Sequence, residues 1–88
     1  AMVQAGTKMG LTAEQSRRLA LATFRGATEL ASRSDETPEV LRQRVTSKGG
    51  TTHAAITHMQ AMHLPEHFIE ALEAAQRRAR ELAAEFGA

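Results

Sequence analysis

The amino-acid sequence predicts an all-α domain, a small bundle of about five helices, and three observations carry this prediction. Apolar residues recur at helical spacing through most of the 88 residues. Residues typical of helix starts and ends interrupt that pattern, namely Gly10, Thr12, Pro38, Gly49 and Gly50. No useful length of the sequence alternates apolar and polar residues as a half-buried strand does. Because this length is that of one domain, we assign residues 1–88 to a single domain.

Residues 1–9 predict an opening helix. Gly10 can end it, because a residue without Cβ adopts the left-handed cap conformation without a steric penalty, and Leu11 would supply the accompanying apolar contact. No capping residue precedes this helix. The sequence therefore resembles a fragment of a longer chain.

A long second helix is predicted from Ala13 to about Arg33. Thr12 and Gln15 have the spacing of a capping box at its start. Gly26 lies inside the helix, where glycine costs about 1 kcal/mol relative to alanine, and we attribute it to a close helix crossing. The apolar stripe of this helix consists of Leu19, Phe24, Ala27, Leu30 and Ala31.

Three shorter links divide the second half of the chain into helices. Thr37 followed by Pro38 is a typical helix start. The predicted helices cover residues 38–45, residues 51–63 with Thr51 or Thr52 as the cap, and residues 64 to about 86, restarted by Pro65.

The composition predicts an oligomer. A domain of this size buries only about 60% of its unfolded surface. Only 3% of the residues are aromatic, so the core must be built from small aliphatic side chains that each bury little area. Another chain would supply the missing stabilisation most simply.

Charge and cysteine content exclude several classes of protein. The net charge is +1, which gives no general attraction to nucleic acid or to an acidic membrane. The sequence has no Cys, hence no disulfide and no thiolate metal site. Neither a membrane-spanning apolar run nor a signal peptide is recognisable, and we expect a cytoplasmic location.

The segment most suggestive of chemistry lies directly before the fourth predicted helix. Gly49 and Gly50 allow successive N–H groups to face one concavity, and the helix start adds its free N–H groups and positive dipole end. The hydroxyls of Ser47, Thr51 and Thr52 can complete a site for a carboxylate or phosphate. The order of residues is not that of a Walker loop. From these residues alone, a plain glycine-rich turn capped by threonine explains the segment equally well.

A longer pattern resembles the signature of the pyrroline-5-carboxylate reductase family. The matching residues are Pro38, Leu41, Val45, Thr46, Ser47, Gly49, Gly50, Thr52, Ala55, Ile56 and Met59. Similarity to the C-terminal domain of that family extends over essentially the whole chain. The family usually has proline at the position of Lys48, and a proline would stiffen the loop before binding.

The resemblance implies a function. The family reduces 1-pyrroline-5-carboxylate to L-proline with NADPH or NADH, the last step of proline synthesis. The resemblance implies an intertwined homodimer. It also implies that the substrate carboxylate is held by Ser47, Gly49, Gly50, Thr51 and Thr52, with the Thr52 hydroxyl facing the ring nitrogen. No dinucleotide-binding fingerprint occurs in the sequence, so we expect this part of the enzyme to bind no cofactor and to be inactive by itself.

Two other functions are compatible with the sequence. The chain is alternatively a stand-alone helical oligomerisation module without a metabolite site, and, less well supported, a helical nucleic-acid binder. The four histidines do not predict a metal site. Pro65 separates His63 from His67, and His53 and His58 are five residues apart, a poor spacing for shared ligation.

Overall fold

The structure, a computed structural model, describes residues 1–87 and contains five α-helices. These are α1 (Met2–Lys8), α2 (Ala13–Arg33), α3 (Pro38–Val45), α4 (Thr51–Ala61) and α5 (Leu64–Glu85). The described residues include no β-strand, which confirms the predicted fold class. The chain divides into two compact units, Ala1–Arg44 and a second unit that begins at Val45.

In the first unit, α1 packs against α2, and the link between them is fixed by backbone hydrogen bonds. Gly10 has φ +102°, a conformation that favours glycine. The Leu11 N–H donates to the Gly6 carbonyl at 3.0 Å and the Gly10 N–H to the Thr7 carbonyl at 3.1 Å. This is the Schellman pattern of a helix end. The predicted left-handed cap at Gly10 is therefore confirmed.

The predicted capping box at the start of α2 is also present. The Gln15 N–H donates to Thr12 Oγ1 at 3.1 Å, and the Thr12 N–H donates to Gln15 Oε1 at 3.0 Å. Two backbone donors that the helix itself leaves unpaired are thereby satisfied. Because the Schellman end and the capping box lie within three residues of each other, little freedom remains in the link between α1 and α2.

A close contact in the first unit joins Gly6 of α1 to Ser16 of α2. A Cβ added at Gly6 would contact the Ser16 hydroxyl and lie 2.7 Å from Ser16 Cβ. Ser16 is 2% exposed, and its hydroxyl has no hydrogen-bond partner within residues 1–87. Gly26, by contrast, has open space around it in the chain. The expectation of a close crossing at Gly26 is therefore wrong within the chain, because the small residue that permits close approach is Gly6.

Short-range contacts define the start and the end of α3. The Thr37 hydroxyl accepts a hydrogen bond from the Val40 N–H at 3.3 Å, as a helix cap does. Arg44 Nη2 lies 3.0 Å from Glu36 Oε1, so an exposed ion pair joins the end of α3 to the residues before it. Such a pair contributes little stability, about 0–1 kcal/mol, but it orients the last turn of α3.

In the second unit, α4 and α5 are joined at His63. His63 has φ +57°, and its carbonyl accepts a hydrogen bond from the His67 N–H at 3.0 Å, which starts α5. The prediction that the fourth helix continues to His63 is wrong, since α4 ends at Ala61. The conformation of His63 explains the difference, because a residue with a left-handed backbone cannot be part of a right-handed helix.

Most large apolar side chains are exposed to solvent in the described chain. Among residues 1–87 no hydrophobic side chain is buried, and the three phenylalanines are strongly exposed: Phe24 by 62%, Phe68 by 65% and Phe86 by 75%. Within the same residues, none of the helices combines the length and the hydropathy that a membrane span requires.

The contact between Gly6 and Ser16 yields a stability prediction. Gly6→Ala should lower the free energy of unfolding of the chain by about 1 kcal/mol, because an overpacking penalty of about 1–3 kcal/mol exceeds the gain in helix propensity. Gly26→Ala is the matched control in open space and should raise it by about 0.5–1 kcal/mol. Urea unfolding measures both, and equal stabilisation by the two variants would contradict the packing described.

Candidate functional site

The loop between α3 and α4 contains a tight turn over residues 47–50. The Gly50 N–H donates to the Ser47 carbonyl at 3.0 Å, and Gly49 has φ +77°. Lys48 is not among the residues with positive φ. This combination is that of a type II turn, in which the third residue requires a left-handed conformation and the second is often proline. Lys48 occupies that second position.

The start of α4 differs from the prediction. Gly50 is the N-cap, with φ −83° and ψ 178°, and no side chain caps the helix. The prediction that Thr51 or Thr52 is the cap is therefore wrong, and the two threonines are the first helical residues. The signal for this was present in the sequence, because glycine is itself an accepted N-cap residue.

Because α4 begins at Thr51, its start determines which backbone N–H groups can donate to a ligand. The Gly50 carbonyl accepts from the Ala54 N–H at 3.0 Å, the first bond of α4, and the Gly50 N–H is engaged in the turn. The preceding N–H groups of the first helical turn, from Thr51, Thr52 and His53, have no acceptor one turn earlier in the helix. They point out of the helix start, where its dipole favours an anion.

Ser47 lies against Gly50. A Cβ at position 50 would contact the Ser47 hydroxyl and lie 3.2 Å from the Ser47 carbonyl oxygen. The absence of a side chain at Gly50 thus brings the Ser47 hydroxyl next to the start of α4. The turn and the glycine together place a hydroxyl beside the free N–H groups.

Three hydroxyls around this helix start are available to a ligand. Ser47 and Thr51 are exposed and Thr52 is half-buried. Within the described part of the chain, none of the three side chains makes a hydrogen bond. The structure brings the predicted residues Ser47, Gly49, Gly50, Thr51 and Thr52 together in one turn and the first turn of a helix. Their donors suit a small carboxylate or phosphate.

Two of the four histidines, His63 and His67, each lie beside a glutamate near the start of α5. His63 Nδ1 is 3.6 Å from Glu66 Oε2 and His67 Nδ1 is 3.4 Å from Glu70 Oε2, all on exposed side chains near the start of α5. In the described residues, no three His, Asp or Glu side chains lie close enough to hold a metal ion.

The fold and the loop define a class of protein: a helical domain that leaves its apolar side chains exposed and presents a glycine-capped helix start with free backbone N–H groups. Residues 1–82 match the family model described as pyrroline-5-carboxylate reductase dimerisation. The chain belongs to this family.

Full-length relatives agree with this assignment. The chain is 46% identical to pyrroline-5-carboxylate reductase of Pseudomonas aeruginosa over 87 residues, which cover 99% of this chain and 32% of that protein. It is 37% identical to pyrroline-5-carboxylate reductase 2 of Bacillus subtilis over 98% of this chain and 31% of that protein. The chain spans about a third of the length of these relatives.

A solved structure shares the fold. The crystal structure of Plasmodium falciparum pyrroline carboxylate reductase with NADP bound superposes with a TM-score of 0.81 at 31% identity. The match covers 84% of this chain and 29% of that chain. Most of this chain therefore has the fold of a segment that makes up less than a third of that larger chain.

The left-handed conformation of Gly49 can be tested directly. Gly49→Ala should destabilise the chain by about 1 kcal/mol, because a Cβ disfavours the left-handed conformation by this amount. Gly49→Asn is the matched control and should lose less, since asparagine tolerates that conformation. Thermal unfolding measures both. Equal midpoints for the two variants would contradict the turn geometry.

Proposed function

We propose that this chain is the dimerisation and substrate-binding domain of an enzyme that reduces 1-pyrroline-5-carboxylate to L-proline with NADPH or NADH. Family membership supports the proposal, as do the names of the relatives and the NADP bound to the Plasmodium falciparum enzyme. The described residues include no strand, so a strand–helix–strand dinucleotide cradle is not among them. The cofactor, which supplies the hydride, would be held by the rest of the enzyme.

Self-association is the first role that we assign to the domain. The observation that carries it is the exposure of the apolar side chains, which include all three phenylalanines. Burying a phenylalanine or leucine side chain contributes about 1.5–3 kcal/mol, so covering several of them would decide whether the domain is stable. On α5, Phe68, Ile69 and Leu72 are each more than half exposed and share one face of the helix. A second copy of the chain would cover that face.

The isolated chain should therefore sediment as a dimer, with twice its mass of 9.5 kDa, at micromolar concentration. Phe68→Ala should raise the dimer dissociation constant about tenfold or more, because it removes at least about 1.5 kcal/mol of apolar burial. Arg77→Ala is the control on the same helix, nine residues along and hence on the opposite side. A folded monomer at these concentrations would disprove the assignment.

Substrate binding is the second role. We assign the substrate carboxylate to the N–H groups at the start of α4, with the Ser47 hydroxyl beside them. These donors are held by the Ser47–Gly50 hydrogen bond, so little ordering is needed when the anion binds. The positive end of the helix dipole adds a fixed attraction for the carboxylate.

Holding the carboxylate orients the rest of the substrate. The ring of 1-pyrroline-5-carboxylate is small and rigid, so a fixed carboxylate also fixes the carbon of the C=N bond that accepts the hydride. Positioning of this kind supplies much of the rate in reactions between two bound molecules. The Thr52 hydroxyl, one residue into α4, would face the ring nitrogen and hydrogen-bond to it as the carbon is reduced.

Thr52→Val in the complete enzyme tests the site, because valine keeps the branched shape and removes only the hydroxyl. It should lower kcat/KM about two- to tenfold, as expected for loss of a hydrogen bond worth about 0.5–1.5 kcal/mol. The thermal midpoint should stay unchanged, since the Thr52 side chain does not cap α4.

Thr57→Val is the matched control, the same replacement at an exposed position farther along α4. It should leave kcat/KM for 1-pyrroline-5-carboxylate at the wild-type value. Should Thr52→Val instead lower the melting temperature and leave kcat/KM intact, the loop would be structural and the site assignment wrong.

A further inference from the structure

Lys48 lies at the corner of the turn that supports the candidate carboxylate site. It is the second residue of the turn, between Ser47 and Gly49, and it is exposed. Within residues 1–87 the Lys48 ammonium makes no ion pair. Its charge is therefore not neutralised by a neighbouring carboxylate in the described chain, and it is free to act on an approaching anion.

The sequence around the loop contains basic residues and no acidic ones. From Val40 to Pro65 the chain has no Asp or Glu, while Arg42, Arg44 and Lys48 fall in the same stretch. Arg44 is paired with Glu36, 3.0 Å away, which reduces its effect on a ligand. The overall net charge is only +1, so this absence of acidic residues is local to the loop and α4 and is not a property of the whole sequence.

Lys48 is only two residues before Gly50, which limits the distance between Lys48 and the helix start. Two successive Cα–Cα steps span at most about 7.6 Å, so the Lys48 Cα lies within that distance of the Gly50 Cα. An extended lysine side chain adds about 6 Å, so the ammonium stays within about 14 Å of the Gly50 Cα, well inside the screening length of about 30 Å at about 0.01 M ionic strength. Lys48 is thus near enough to attract a bound carboxylate without having to contact it.

We propose that Lys48 is an affinity determinant for the anionic substrate, acting by electrostatic attraction from the corner of the turn. This inference rests on the proposed function, because it takes the helix start before α4 to be the carboxylate site. The substrate carboxylate keeps its charge throughout the reaction, so the attraction is the same in the ground state and in the transition state. An interaction of that kind lowers KM and leaves kcat unchanged.

The test is steady-state kinetics of the complete enzyme with 1-pyrroline-5-carboxylate at low and high ionic strength. Lys48→Gln should raise KM about two- to fivefold at about 0.01 M ionic strength, with kcat unchanged. At about 0.5 M, where the screening length falls to about 4 Å, its KM should equal that of the wild type. Lys48→Arg keeps the charge and should retain the wild-type KM and its salt dependence.

Lys8→Gln is the control for net charge, since it removes the only other lysine, at the end of α1. It should not change KM at either ionic strength. A wild-type KM for Lys48→Gln at low ionic strength would overturn the inference. So would a KM raised equally at both ionic strengths, because that result would mean that Lys48 acts through the shape of the turn.

The Thr52→Val variant separates this inference from the proposal on which it rests. Reduced kcat/KM in Thr52→Val together with normal kinetics in Lys48→Gln would reject only the role of Lys48. Normal kinetics in both variants would reject both the role of Lys48 and the contact of the Thr52 hydroxyl with the substrate.

Discussion

The rest of this structure depends on one constraint. Many large apolar side chains are exposed in the described chain and need another surface to cover them. The sequence has few aromatic residues, and those it has lie on helix surfaces: Phe24 on α2, Phe68 on α5 and Phe86 at the end of α5. Helices built largely from alanine and other small residues approach closely but bury little area. The domain therefore needs a second surface to cover its exposed apolar side chains. This need explains why a fold with almost no buried core belongs to a dimerisation family.

The loop, in contrast, is organised by contacts between near neighbours. One hydrogen bond, from the Gly50 N–H to the Ser47 carbonyl, closes the turn, and the Gly50 carbonyl then starts α4. The geometry of the site depends on residues that are at most four apart in sequence. A site of this kind can keep its shape while the helices around it are covered by another chain, so binding and dimerisation can rest on separate sets of residues.

Residue patterns predicted the helices well because helix starts and ends are local. The Schellman end at Gly10 and the capping box of Thr12 and Gln15 are each made by residues within five positions of one another. The misplaced boundaries are also local. At position 50 glycine is the cap without any side-chain hydrogen bond, and the left-handed conformation of His63 ends α4 before that residue.

The sequence by itself determined the class of fold, the order of the five helices and the residues of the loop, because all three follow from interactions between residues close together in the chain. Tertiary structure alone decided at which glycine two helices approach each other closely. Gly6 and Gly26 look alike as glycines inside helices, and only the packing of α1 on α2 shows that Gly6 faces Ser16 while Gly26 has open space. The reason is that helical periodicity tells which residues share a face but not which neighbour that face meets.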